Sequence, residues 1–210
     1  MLDFYTAATS NGMRAAIAMA ESGLRHTLHK VDLSKGEQKT PEYKKINPAA
    51  LIPALVDKGV AGGPLILTES MAIMIYAAEK SGKLLPTETM ARARTLEAFS
   101  LAMTDVYCPF NALFHMLVDY PGGPPENIDK GFDGMIRAGL ARYEDRLTKE
   151  EWVAGAFSIA DIALYANVWR LKTAAALQRT YPELKGIQRW FDAVAARPDV
   201  QLGHSLAGRP

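Results

Sequence analysis

The chain holds a single cysteine, Cys108, among its 210 residues. An internal disulfide is therefore impossible, and so is a metal site built from several thiolates; no metal is expected. One cysteine suits a reducing compartment, and the cytoplasm is the expected location. No apolar run approaches the roughly 20 residues that span a bilayer. The opening Met1-Leu2-Asp3-Phe4-Tyr5 lacks the basic residues and long apolar stretch of a secretory leader, so none is expected. Charge of one sign is also missing. With 24 basic and 23 acidic residues the net charge is +1, and neither nucleic acid nor a membrane surface is an expected partner. There is no internal repeat and no low-complexity segment. The hydrophobic fraction of 49% is ordinary for a globular protein, and this length allows one large domain or two small ones.

What is present divides by periodicity. The first eighty residues mix two periods and the remainder shows one. Residues 2–6 read as a strand. Met13, Ile17, Ala20 and Leu24 fall at helical spacing, with Asn11 as a candidate cap and Gly23 as a stop. An extended pattern resumes over residues 26–33, and the charged stretch 34–45 predicts a turn and an irregular helix. Two short apolar runs, 52–56 and 65–67, flank a stretch with three glycines and a proline, which predicts a hairpin with a longer loop. Residues 70–80 return to helical spacing through Ile73, Met74, Tyr76 and Ala77. The order β-α-β-α-β-β-α predicts an α/β domain with a mixed four-stranded sheet over residues 1–81. A linker over 82–89 follows.

Beyond it no strand is evident. Residues 90–117, 128–148, 159–177 and 187–196 read as helices, giving an all-α domain over 90–210. Tyr120-Pro121-Gly122-Gly123-Pro124-Pro125 breaks two of them apart. Ser158 with Asp161 three residues on fits a capping box, a structural device with no catalytic task. Pro109 should kink or interrupt its helix. Around it, Tyr107, Phe110, Phe114 and His115 are candidates for the wall of a small-molecule pocket; an interdomain or dimer core is the competing reading. Cys108 reads as a small buried hydrophobe. Pro53 opens an apolar strand, where a proline removes no ladder hydrogen bond. Its X-Pro bond can be trans or cis, and the trans preference is only about 0.5–1 kcal/mol.

Several of these segments coincide with one family. Thr9-Ser10-Asn11-Gly12, Gly23-Leu24, Val31-Asp32-Leu33, Gly36-Glu37-Gln38, Pro41-Glu42-Tyr43, Ile46-Asn47-Pro48, Ile52-Pro53-Ala54-Leu55-Val56 and Leu67-Thr68-Glu69-Ser70 occur in order. In the second half, Phe157-Ser158-Ile159-Ala160-Asp161-Ile162-Ala163 follows. The chain resembles the bacterial cytosolic glutathione transferases, the Nu class in particular, with features shared by the beta class. The resemblance covers essentially the whole chain. It implies a thioredoxin-like first domain, a cis-proline at Pro53, a helical domain carrying the second-substrate pocket, and a homodimer. Glutathione is the implied co-substrate.

The residues implied for glutathione match its chemistry. Ser70, at a helix start, meets the γ-glutamyl carboxylate with its hydroxyl and N–H. Glu69 neutralises the ammonium, although a simple serine cap is the alternative for this pair. Ile52, ahead of Pro53, gives main-chain bonds to the cysteinyl part. Gln38 and Lys39 reach the glycine carboxylate, or Lys39 is merely solvated. Catalysis needs a thiolate, and a thiol near 8.5 is mostly neutral at pH 7. Lowering it by about two units takes roughly 2.7 kcal/mol, within reach of one or two charge-assisted hydrogen bonds at about 1.5–3 kcal/mol each. Asn11 and Thr9 are the first candidates for that donor, Ser10 the next, and Tyr5 a weaker one. The implied reaction is attack of bound thiolate on small hydrophobic electrophiles, a detoxifying conjugation. Reduction of a disulfide or peroxide on the same site is a second reading, and a non-catalytic protein-interaction module is a third. The loop lacks Cys-x-x-Cys, so the chain's own residues cannot run a dithiol mechanism.

Overall fold

A computed structural model describes residues 1–208 and divides the chain into two compact units. Of the described residues, the first comprises Met1–Leu85 and 196–208; the second is Pro86–Ala195. From the sequence, residues 90–210 are expected to form one helical domain. Arg209 and Pro210, the end of that predicted domain, lie outside the described residues.

In the first unit, β1 (Leu2–Thr6) is buried along most of its length and takes an inner place in the sheet, its one charged side chain, Asp3, held by Lys58 and His29. It leads to α1 (Ser10–Ser22), which stops at Gly23 in the left-handed region, φ 70°, where glycine bears no Cβ penalty. Then come β2 (His26–Lys30), a 3₁₀ turn over Glu37–Lys39, and α2 (Pro41–Lys44). The predicted hairpin is β3 (Ala54–Asp57) and β4 (Leu65–Leu67), followed by α3 (Ser70–Ser81). The strand order is β2-β1-β3-β4. β2 runs parallel to β1, while β3 is antiparallel to β1 and β4 to β3. The mixed four-stranded sheet expected from the sequence is therefore present.

The helical unit contains α4 (Thr89–Leu101), a π-helical segment (Ala102–Tyr107), α5 (Cys108–Asp119), α6 (Glu126–Leu147), α7 (Ile159–Thr173) and α8 (Lys185–Ala195). α7 is its buried centre: Ile162, Ala163, Leu164 and Ala166 are all fully inaccessible. The capping box forms as expected, with the Ser158 N–H donating to Asp161 Oδ2 at 3.0 Å. Asp161 Oδ1 also accepts from the Val153 N–H at 3.0 Å and from the Trp190 indole at 2.9 Å. Burial pushes the Asp161 carboxyl up to about 6 despite these donors.

Three features depart from the sequence reading. α7 ends at Thr173 rather than 177, because the chain turns extended at Ala174 and Gln178 adopts φ 43°. An unpredicted helix, α9 (Pro198–Leu206), follows α8 and packs on α1 in the first unit. Arg197 grips Glu21 of α1 through Nε and Nη2 at 2.6 and 2.8 Å. Cys108, expected to be buried, is exposed.

Candidate functional site

Register brings the sequence-predicted segments to one edge of the sheet. Tyr5 pairs with Ala54, so Pro53 lies beside the end of β1, where the 7–9 loop begins. Leu55 pairs with Leu67, so Glu69 and Ser70 leave β4 at that same edge. Thr6 pairs in parallel with Lys30, so the chain leading to the Glu37–Lys39 turn leaves there too. The edge is the carboxyl end of the parallel pair, the side on which open α/β sheets take ligands.

The Ile52–Pro53 peptide is cis, as the resemblance implied. Two side chains that sequence reasoning passed over hold the residue before it. Tyr43 O–H and Asn47 Nδ2 both donate to the Leu51 carbonyl, at 2.8 and 2.7 Å. Asn47 is buried and its Oδ1 also accepts from the Ala49 N–H at 3.1 Å. Both lie within segments quoted for the resemblance, Pro41-Glu42-Tyr43 and Ile46-Asn47-Pro48; their spacing alone carried no signal for a shared acceptor.

At the start of α1, the cap is Thr9 and not Asn11. Thr9 is extended, φ −122° and ψ 166°, and its Oγ1 accepts from the Gly12 N–H at 3.0 Å. Asn11 is already inside the helix because Ser10 is its first residue. The Ser10 side chain is buried, whereas Thr9 and Asn11 are half-buried. The Ser10 amide has no acceptor within the helix, and the helix dipole adds positive potential at this end. Tyr5 is placed differently. Its ring stacks on His29 at 4.3 Å and 11°, and burial, with the Asp3 carboxylate, pushes its phenol above the ordinary value. A phenol shifted upward is a poorer proton donor to a thiolate.

At α3, Glu69 holds the cap position, φ −106° and ψ 128°, without a side-chain capping bond. Ser70 is the first helical residue and is buried, so the serine-cap alternative does not hold. Glu69 is exposed. In the 3₁₀ turn, Gln38 Oε1 is shielded from solvent without a hydrogen-bond partner among the described residues, while Lys39 is exposed.

The helical unit distributes its aromatic candidates unevenly. Tyr107 and Phe110 meet edge-to-face at 5.2 Å, but Phe110 is 1% exposed and points into the core. Phe114 is half-buried and lies under the Arg170 guanidinium at 4.6 Å. His115 is exposed and its Nδ1 sits 2.8 Å from Asp119 Oδ2. Among the described residues no three His, Cys, Asp or Glu groups are placed to hold a metal ion, and no helix is long and apolar enough to cross a membrane.

Comparison with known proteins places the chain in a family. The family description "Glutathione S-transferase, N-terminal domain" matches residues 10–80, and "Glutathione S-transferase, C-terminal domain" matches residues 110–193. The chain is 34% identical to the disulfide-bond oxidoreductase YfcG of Escherichia coli, covering 94% of this chain and 92% of that one. It is 30% identical to glutathione S-transferase F10 of Arabidopsis thaliana, over 98% of this chain and 99% of the relative. Among solved structures, a glutathione transferase from Pseudomonas putida with one glutathione disulfide per subunit superposes with a TM-score of 0.89, at 30% identity, over 99% of this chain and 92% of that one. One from Burkholderia graminis with two glutathione molecules per subunit gives 0.87, at 30% identity, over 100% and 89%. The chain belongs to the glutathione S-transferase family.

Proposed function

We propose that this chain binds glutathione at the carboxyl edge of the sheet and lowers its thiol for attack on small hydrophobic electrophiles. The observation that carries this reading is the convergence of three segments at one edge: the α1 start, the Ile52–Pro53 corner and the α3 start. Ser70 meets the γ-glutamyl carboxylate with its hydroxyl and the first amides of α3. Glu69, not engaged in capping, faces the ammonium. Ile52 offers its main chain to the cysteinyl part. Gln38 takes the glycine end, its N–H₂ donating to the carboxylate and its buried, unpartnered Oε1 able to accept the glycyl N–H, and Lys39 adds charge.

Thr9 and Asn11 stabilise the thiolate. Thr9 Oγ1 spends a lone pair on Gly12, which leaves its proton for an acceptor. Ser10, turned inward, contributes through its amide. Tyr107, Phe114 and His115 line the second-substrate side, with Phe110 supporting Tyr107 from beneath. Residues 1–81 carry the glutathione site, 82–89 link, and the helical domain from 90 on supplies the other substrate's pocket. The protein acts as a cytoplasmic homodimer of Nu-class type with beta-class features.

A second reading, disulfide or peroxide reduction, is favoured by the name of the E. coli relative and by the glutathione disulfide in the P. putida structure. Here the bound thiolate attacks one sulfur of a disulfide, the other leaves as thiolate, and a second glutathione releases glutathione disulfide. Parallel assays with an aryl halide, a hydroperoxide and a mixed disulfide separate the two reactions. Retention on glutathione-agarose is expected for both; passage through the column would leave only the protein-interaction module.

A further inference from the structure

The helix from Thr89 to Asp119 is interrupted by a wide turn. Across Ala102–Tyr107 it opens to π geometry, and the Cys108 N–H reaches back five residues to Met103 O. The cause is visible in the sequence. Pro109 has no N–H to give Asp105 O, and its ring crowds that carbonyl. Such a turn inserts one residue, so side chains beyond it are rotated by roughly 100° from where an unbroken α-helix would put them. Tyr107, Phe110 and Phe114 lie at or after the insertion. Their direction is therefore set by the turn.

The rest of the helical unit is built to receive it. α6 crosses the Asp105 carbonyl so closely that a Cβ on Gly139 would lie 2.5 Å from its oxygen and 2.9 Å from its carbon. Tyr143 O–H donates to Ala98 O at 2.5 Å, one turn ahead of the segment. From α7, Asn167 Nδ2 donates to Ala102 O, the first carbonyl of the wide turn, at 2.8 Å. Asn167 is fully buried between Ala166 and Val168, in the stretch of α7 beyond the Asp161 cap where its buried neighbours are apolar or aromatic. A lone amide there is unfavourable unless its hydrogen bonds specify one arrangement.

We infer that Asn167 is a positioning residue for the second substrate: by holding Ala102 it fixes the π turn, and the turn aims Tyr107 and Phe114. This rests on the reading that those side chains line the second-substrate pocket. Asn167 touches neither substrate. Its loss should therefore alter selection among second substrates while glutathione affinity stays.

The test is steady-state kinetics of Asn167→Leu, which keeps volume and removes the donor, beside Pro109→Ala, which restores an N–H and favours a regular helix. Each is measured against glutathione and a series of aryl electrophiles. The expected result is a KM for the aryl substrates raised about three- to tenfold, the scale of one aromatic contact, with a changed rank order and a KM for glutathione within about twofold of the parent. Should Asn167→Leu fail to fold, Pro109→Ala carries the same prediction. Tyr107→Ala and Phe114→Ala run as controls. If they raise the aryl KM and the folded turn variants do not, the inference falls and the pocket reading stands. If all four leave it unchanged, both fall. A uniform loss across both substrates likewise overturns the inference, because it marks a merely structural amide.

Discussion

At the scale of single residues, the proposed site separates binding from chemistry. Ser70→Ala should weaken glutathione about tenfold or more, the scale of one hydrogen bond to a charged group, as read by calorimetric titration. Asn11→Ala should instead mainly lower turnover. Equal activity of both variants with the parent would defeat the assignment. Asp161 makes a different prediction, because its work is structural. Asp161→Asn turns an N–H₂ toward donors and should cost about 1–3 kcal/mol in thermal or denaturant unfolding. Its folded value of about 6 lies above the ordinary 3.8, so the stability it contributes is complete below 3.8 and is lost as pH rises through about 6. The penalty of Asp161→Asn should therefore shrink across that interval. Residues such as Ser70, Pro53 and Asp161 were legible in the sequence, because helix starts, strand starts and caps leave short-range marks. Tyr43 and Asn47 were not. They meet at Leu51 O only through the folded loop, eight and four residues away.

At the scale of elements, what is local was legible and what is relational was not. The hairpin around residues 57–64 follows from its glycines, and α1 ends where Gly23 says it should. The α1 cap was misplaced by two residues, since Thr9 and Asn11 are both good caps and only the Thr9–Gly12 bond decides. α9 escaped because nine residues carry little periodic signal, and its partner lies far away in sequence. That contact is close: a Cβ on Gly203 would fall 2.6 Å from the Ile17 Cα. Gly203→Ala must push α9 off α1 and should cost about 1–3 kcal/mol. The midpoint of urea unfolding measures it. An unchanged midpoint would show that α9 contributes nothing to the stability of the first unit.

At the scale of the whole molecule, two compact units carry the two halves of a glutathione S-transferase. The mixed sheet and the helical unit could be read from periodicity. The assignment of α9 to the first unit could not, because it depends on how the chain returns after α8. Function enters at this scale through one physical demand, a thiol made anionic at neutral pH. In the proposed site the α1 start answers it with a capping threonine, a helical asparagine and a helix N-terminus, and without a cysteine of its own. The most direct measurement is a pH titration of glutathione bound to the protein, followed by ultraviolet thiolate absorbance. The bound thiol should titrate about two units below the ordinary value near 8.5, and Asn11→Ala should move it back upward. A bound thiol that titrates where free glutathione does would contradict the account.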